Sequence, residues 1–512
     1  MANAWRRFPT VYEINTRVWL AELSRRSGEP IVLGTVPEDE IDRLAVYGFD
    51  AVWLMGVWAP SPASRRLARQ HSDLAPELRA ALPDLRDADV AGSPFAVHDY
   101  RVSGILGGEE GLCHLRSRLA RRSIRLMLDF VPNHLAIDHP WTETHPEYLV
   151  QCPTSGSTGA PNPDDGCFTR HVNGRRIRLA HGRDPYFPPW TDTVQVDYSS
   201  PDAREAMVHA LQEVANRCDG VRCDMAMLVT NDVFRRVWGL EKRRRDAPAG
   251  EFWQEAIQAV RSRSPEFVFL AEVYWGLERE LQRQGFDYTY DKVLYDHLRA
   301  GDVGAMRTHL RLDHGFQNHA ARFVENHDEP RAVEAFGRMK SRAAALLVAT
   351  LPGLRLFHQG QLEGRRLRIP VQLRRLPREQ PDLGLVRFYR RLLAVVEQRL
   401  FHDGAWTLLE PRPAWTGNGS FGNVVAYEWH MDDGERALIV VNLGEHRSQA
   451  LVPVSWPGLG ARGWRLHELV DKHSTPPTTY VRSGIALQSE GLYVDLDPFG
   501  FHFLSVDPED HD

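Results

Sequence analysis

The run Gly220-Val221-Arg222-Cys223-Asp224 decides how the rest of the chain reads. It follows a segment that opens at Ser200-Pro201-Asp202 and carries Met207, Val208, Leu211, Val214 and Ala215 on one helical face, so a helix feeds a short strand. Asp is a poor strand residue, and a carboxylate at a strand's C-terminal tip asks for a reason. Arg222 lies two positions earlier and projects to the same side, where its guanidinium can keep Asp224 ionised and oriented. Taken alone, the pair reads as a structural ion pair or as a held nucleophile, because structural pairs perturb carboxylates too.

Working outward, short apolar strands alternate with amphipathic helices from Val11 to about residue 400. Strands are expected at Val11–Ile14, Ala51–Met55, Ser123–Leu128, 220–223, Phe267–Ala271, Phe286–Tyr288, Arg322–Val324 and Leu354–Phe357. Acidic Glu38, Asp39 and Glu40 open the helix after the first strand, where they suit the dipole. Eight such units fit a (β/α)8 TIM barrel. A doubly wound sheet would want a Gly-rich phosphate turn after an early strand, and none is present. The excursion 58–92 is partly helical. Residues 135–195, with Pro161-Asn162-Pro163-Asp164-Asp165-Gly166, break the rhythm and read as a small inserted domain B after strand three. Beyond 404 the pattern turns all-β, with Val424–Trp429, Ala437–Val441 and Phe501–Leu504 between Gly- and Asp-containing turns, which predicts a C-terminal antiparallel β-sandwich. The expected domains are a barrel over 1–134 and 196–403, the insert 135–195, and the sandwich 404–512.

Bulk properties narrow the function. A chain of 512 residues exceeds one core, and 43% hydrophobic with 25% charged residues excludes disorder. A net charge of −6 gives no reason to expect nucleic acid or an anionic membrane as partner. The basic runs Lys242-Arg243-Arg244-Arg245 and Arg365 to Arg378 read as solvated helix ends. Cys113, Cys152, Cys167, Cys218 and Cys223 form no CxxC pair. Free thiols in a reducing compartment are the simpler reading, with a Cys152–Cys167 bridge as the alternative. Residues 1–10 lack an apolar signal core and no run can span a membrane, so the expected location is cytoplasmic.

Four strand ends carry chemistry: Asp129 with Asn133 and His134; Arg222 with Asp224; Glu272; and His327 with Asp328. In a barrel these meet at one mouth. Three carboxylates beside two histidines and an arginine suit glycoside cleavage, in which an ionised carboxylate attacks the anomeric carbon while a protonated one, about 5–5.5 Å away, serves the leaving oxygen. Asp224 beside Arg222 suits the nucleophile. Glu272, after Phe267–Ala271 and before Val273-Tyr274-Trp275, suits the acid, because apolar surroundings raise a carboxyl pKa. Asp328, His134 and His327 can hold sugar hydroxyls.

Asp129-Phe130-Val131-Pro132-Asn133-His134, Gly220–Asp224, Ala271-Glu272-Val273 and Phe323-Val324-Glu325-Asn326-His327-Asp328 resemble, in order and spacing, the four signature regions of the α-amylase family of glycoside hydrolases. Ser93–Tyr100 and Thr193–Asp197 resemble its segments after strand two and near the end of domain B. The resemblance implies Asp224 as nucleophile, Glu272 as acid/base and Asp328 as transition-state stabiliser. It implies Arg222, His134 and His327 at the sugar-binding subsite. Phe95, Asp129, Tyr12, Asp99 and Tyr100 complete the expected substrate-binding set. Two departures bear on specificity. Phe95 stands where the family usually has Tyr, which keeps a stacking face and loses a hydroxyl. Met225-Ala226-Met227-Leu228 stands where many endo-amylases carry Lys-His. That implies no typical endo-amylase and no metal at the family's calcium site, with Asn133 bracing a loop; no cofactor is expected. The expected reaction is retaining cleavage of α-glucosides or short α-glucan oligosaccharides. A transglycosylase of the same family and a non-catalytic barrel are the rivals, and oligomeric state is not legible. Residues 58–92, 135–195 and 359–378 are the segments that set sugar and linkage.

Overall fold

A computed structural model describes residues 5–153, 166–239, 250–470 and 478–509. The run Lys242–Arg245, and all but the last residue of Pro161–Gly166, lie outside the described residues. Eight parallel strands close a barrel: β1 (Thr10–Asn15), β2 (Ala51–Met55), β3 (Arg125–Phe130), β4 (Gly220–Cys223), β5 (Val268–Ala271), β6 (Tyr288–Tyr290), β7 (Ala320–Arg322) and β8 (Leu354–His358), each bonded to its sequence neighbour and β8 to β1. The expected TIM barrel is the observed fold.

The local chemistry explains how each strand is fed. Ser200 Oγ accepts from Ala203 N (3.3 Å) and Pro201 occupies the first turn of helix Pro201–Ala215. That helix buries Ala203, Met207, Leu211 and Val214 and delivers the chain to β4. Burying Met207, Leu211 and Val214 contributes about 1.5–3 kcal/mol each. Asn15 caps helix Thr16–Ser27 the same way at the end of β1. Within 58–92, helices Pro62–Gln70 and Leu74–Ala81 form, the first capped by Ser61.

Three strands begin two residues from where the hydrophobic runs predict; β3 starts at Arg125, after Ser123 in a left-handed turn (φ 59°). β6 starts at Tyr288, two residues later than expected, because Asp287 is held at the lower rim by Arg261 (2.7 Å) and by the Phe269 amide (2.7 Å). β7 ends at Arg322, and Phe323 and Val324 are buried above it without belonging to the ladder. The Arg-rich stretch is no helix end. Pro370 and Pro377 interrupt it, Pro381 follows it, and the next helix begins only at Leu383.

Between β3 and β4, His134–Ala136 pairs antiparallel with Thr193–Gln195, and a hairpin joins Cys167–Val172 to Arg175–Ala180. Cys152 N donates to Arg178 O (2.9 Å) and Cys167 pairs with Ala180. This register brings the two cysteines to a Cα separation of 6.6 Å, and they form a disulfide. The all-thiol expectation is therefore corrected; Cys113, Cys218 and Cys223 are free.

After residue 404, a six-stranded antiparallel sheet stacks on a two-stranded one, Ser448–Val452 with Leu492–Leu496. Strand Val424–His430 shows how both faces are used. Val424 and Ala426 pack with Ala450, Val452 and Val494 inside the sandwich. Val425, Tyr427 and Trp429 join the barrel's core instead, where Trp429 Nε1 donates to Thr350 O (2.6 Å). No described helix is long and apolar enough to cross a membrane.

Candidate active site

The strand-end carboxylates meet because of register. Arg222 lies opposite Asp129, and Cys223 lies opposite Ala271. The ladder continues one step past the strands, with Asp224 N donating to Phe130 O (2.8 Å) and Glu272 N to Cys223 O (3.0 Å). Asp224 and Glu272 therefore project side by side into the mouth. Arg222, fully buried, grips both: Nη1 is 2.6 Å from Asp224 Oδ1 and Nη2 is 2.7 Å from Glu272 Oε2. One planar fork thus sets the spacing of two carboxylates. The rings of Phe95, Trp53 and Tyr290 surround its guanidinium carbon at 5.2, 5.3 and 5.9 Å. Such aromatic faces stabilise a desolvated cation.

Glu272 is held at every polar atom. Oε2 accepts from Met225 N (2.6 Å) and Oε1 from Tyr274 Oη (2.8 Å). Burial pushes its carboxyl from the ordinary 4.5 up to about 7, against the opposing pull of Arg222 and with the help of the charges on Asp224 and Asp328. Met225 adopts a left-handed conformation (φ 43°), as does Trp275 (φ 64°). Strained residues on either side of the carboxylates aim the Met225 amide and the Trp275 ring, a use of strain common in functional sites.

The third carboxylate does not stand at a strand tip. Asp328 lies six residues past β7, in a turn where Asn326 Oδ1 accepts from the amides of Asp328 (3.0 Å) and Glu329 (2.9 Å). Its side chain, 45% exposed, opens onto the cavity, and His327 Nε2 stands 3.0 Å from Oδ2. Partial desolvation at the cavity wall works against its charge, but the His327 imidazolium outweighs it and holds the carboxyl at about 2. His327 in turn is sandwiched between Asp328 and Glu13, whose Oε1 is 2.5 Å from Nδ1. Burial opposes the ring's charge, and the two carboxylates more than offset it, so the imidazole stays protonated.

A cavity of about 720 Å³ opens above these groups and is lined by Phe95, His134, Asp224, Glu272, His327 and Asp328 together. Phe95 stacks on His327 (5.2 Å between centroids). His134 packs against Trp190 (4.9 Å), and burial lowers its pKa and keeps it neutral. Four expected binding residues lie elsewhere. Tyr12 points outward and stacks on Phe49 (4.6 Å), because inward and outward positions alternate along β1 and Glu13 takes the inward one. Asp129 is buried beneath the cavity, with Oδ1 accepting from Trp53 Nε1 (2.9 Å) and Oδ2 from Gly56 N (2.9 Å). Tyr100 is turned into the core, where its hydroxyl bridges Val131 N and O at 3.0 Å. Asp99 pairs with Arg101 at the surface (3.3 Å).

Sequence reasoning missed Glu13, which the same test that found Asp224, a carboxylate inside an apolar strand, would have flagged. It also missed the rim aromatics Phe187 and Trp190, although Tyr186-Phe187-Pro188-Pro189-Trp190 is an aromatic run within the insert. Asn133 Oδ1 accepts from Gln195 Nε2 (3.0 Å), and Nδ2 meets His134 Nδ1 (3.3 Å), so neutral side chains engage the residue. Among the described residues no three His, Cys, Asp or Glu side chains gather as a metal site.

A family model described as "Alpha amylase, catalytic domain" matches residues 38–367. The alpha-amylase MalA of Haloarcula japonica is 25% identical over 466 residues, covering 89% of this chain and 58% of that protein. The alpha-1,4-glucan:maltose-1-phosphate maltosyltransferase of Burkholderia pseudomallei is 25% identical over 366 residues, covering 69% of this chain and 27% of its own length. The chain thus spans under two thirds of both curated relatives. Among solved structures, the maltogenic alpha-amylase AmyB from Thermotoga neapolitana superposes with TM-score 0.66 at 19% identity, covering 98% of both chains. The alpha-amylase of Geobacillus thermoleovorans, complexed with acarbose, gives 0.67 at 16%, covering 99% of this chain and 100% of the other.

Proposed function

The chain belongs to the α-amylase family, and from that premise we propose that it is a retaining glycosidase that cleaves α-glucosides or short α-glucan oligosaccharides. The carrying observation is the forked Arg222, which binds Asp224 and Glu272 at 2.6 and 2.7 Å while burial raises Glu272 to about 7. One guanidinium holding both carboxylates is compatible with the short separation a retaining mechanism needs. In the first step an Asp224 oxygen bonds to the anomeric carbon as the glycosidic C–O bond breaks. The Glu272 proton passes to the leaving oxygen. In the second step Glu272, now ionised, takes a proton from the attacking water, whose oxygen displaces Asp224 and regenerates both groups. Asp328, ionised beside His327, accepts hydrogen bonds from ring hydroxyls and opposes the positive charge that builds on the sugar. Phe95 and His134 hold that ring, the one by stacking and the other by hydrogen bonding.

Transfer to a second sugar is the rival outcome, and the cavity rim favours weighing it. Phe187 (70% exposed), Trp275 (38% exposed) and Trp190 offer stacking faces where an acceptor sugar would bind and water would be displaced. The reaction needs no metal in this proposal, because attack and proton transfer are both assigned to carboxylates. Product chromatography on a panel of α-linked disaccharides and maltooligosaccharides, with and without added acceptor, tests both readings. New longer products with acceptor would make it a transglycosylase. No turnover on any α-glucoside, with Asp224→Asn indistinguishable from wild type, would leave a binding module.

The cytoplasmic location belongs to the same proposal, and the thiols test it. Of five cysteines, three are free and two are bridged here. Alkylation of all five as protein taken directly from cells is denatured would support a reducing compartment, whereas three, the number that the Cys152–Cys167 bridge leaves, would refute it.

A further inference from the structure

A second cavity, of about 500 Å³, lies between helix Thr16–Ser27 and helix Pro62–Gln70. Arg17, Arg65, Arg66, Arg69 and Arg374 line it, and no Asp or Glu does. This is unusual in a chain of net charge −6. It is also unlike the neighbouring arginines: Arg368 is paired with Glu77, and Arg375 with Asp84 (3.1 Å) and Asp89 (2.8 Å). The lining guanidiniums that are hydrogen-bonded meet only neutral carbonyls. Arg17 Nη1 donates to Gly92 O (2.9 Å), Arg65 Nε to Val90 O (3.0 Å) and Arg69 Nη2 to Asp87 O (2.6 Å). Burial, then the neighbouring charge of Arg374, lowers the Arg17 pKa to about 10. Five like charges around one concavity repel each other, and an anion placed among them removes that repulsion. Leu20, Ala21, Ile31 and Leu106 give the cavity an apolar floor.

We propose that this arginine-lined cavity is a binding site for a small phosphorylated ligand carrying at least two negative charges, with the phosphoryl oxygens at the guanidinium forks and a compact body on the apolar floor. Guanidinium geometry matches phosphate oxygens in pairs, and the volume suits a ligand of this class. The site is separate from the catalytic cavity but built on the same segments. Arg65 and Arg17 hold the carbonyls of Val90 and Gly92, which lead directly to Ser93 and Phe95 on the catalytic cavity. Ala91 N donates to Gln372 O (2.7 Å), and Gln372 lines the catalytic cavity while Arg374 lines this one.

The probe is inorganic tripolyphosphate at physiological ionic strength, titrated into the full chain by calorimetry, with melting temperature as a second readout. Wild type should bind one equivalent saturably and melt higher when saturated. Arg66 and Arg374 are exposed, so Arg66→Ala/Arg374→Ala should melt like wild type without the probe. Its affinity should fall about tenfold or more for each guanidinium lost. Arg121→Ala/Arg263→Ala, which removes the same charge from exposed positions elsewhere, should bind as wild type does. No saturable binding by wild type overturns the proposal. So does undiminished binding by the cavity variant, or an equal loss in the control variant.

Discussion

Replacing Glu272 by Gln tests the division of labour between the two gripped carboxylates. A carboxyl at the ordinary 4.5 would be protonated in about one molecule in 300 at pH 7, whereas one at about 7 is protonated in about half. Burial therefore supplies over a hundredfold more acid at neutral pH. Gln keeps the volume, and its oxygen can still accept from Arg222 and the Met225 amide while its NH2 donates to Tyr274 Oη, but it cannot give up a proton. General-acid catalysis contributes about 10²–10⁴-fold, so hydrolysis of an unactivated α-disaccharide should slow by that factor. An aryl glycoside whose phenolate leaves unaided should react to form the glycosyl-enzyme within about tenfold of wild type, read by the pre-steady-state burst of phenol. The pH profile carries the sign. In wild type the reactive form holds the proton, so kcat/KM for the disaccharide should bend near pH 7, level off about a pH unit below it and fall toward tenfold per pH unit above it. In Glu272→Gln that alkaline limb should vanish. Equal slowing of both substrates, or an alkaline limb that persists in the variant, would refute Glu272 as the acid.

Asp224→Asn should abolish turnover while the melting temperature changes little, and retained activity would overturn its role as nucleophile. Arg222→Met should leave two buried carboxylates without their shared cation and destabilise the fold by about 3–5 kcal/mol at pH 7, read by denaturant titration. Their pKa values would then rise in the folded state, so the deficit should shrink as the pH falls and they protonate; a pH-independent deficit would point to lost packing instead. Glu13→Gln removes one of the two carboxylates that keep His327 charged. It should lower kcat more than it changes KM, and an unchanged kcat would limit Glu13 to packing. EDTA should leave activity intact, since attack and proton transfer are both assigned to carboxylates; inhibition reversed by calcium would show a metal requirement.

Much of the site was legible because its residues lie at or just beyond strand ends, and a strand carries its own evidence. Arg222 and Asp224 are two positions apart, so the pleat alone places them on one side, and the 2.6 Å contact is a local consequence. Glu272 follows a buried apolar run, so its raised pKa was predictable from its neighbours. Periodicity and strand-end chemistry likewise led to the closed barrel, and the signature order led to the family. What could not be read was which face of a doubly buried strand looks inward. Thr10-Val11-Tyr12-Glu13-Ile14-Asn15 is covered on both sides, so hydrophobicity does not distinguish them, and Glu13 takes the inward position expected of Tyr12. Pairings between segments that sequence does not bring together were equally hidden. The hairpin register joined Cys152 to Cys167, the β4–β5 register placed Glu272 on the second prong of Arg222, and chain closure brought Glu13 beneath His327, 314 residues away. Sequence by itself determined the barrel, the family and the groups capable of acid, base and nucleophile chemistry, because each is written in local pattern. Only the tertiary structure decided which groups share a cation, which aromatic rings line the active-site cavity, and that five distant arginines surround one cavity. Those outcomes depend on register and packing between remote segments, which no local pattern encodes.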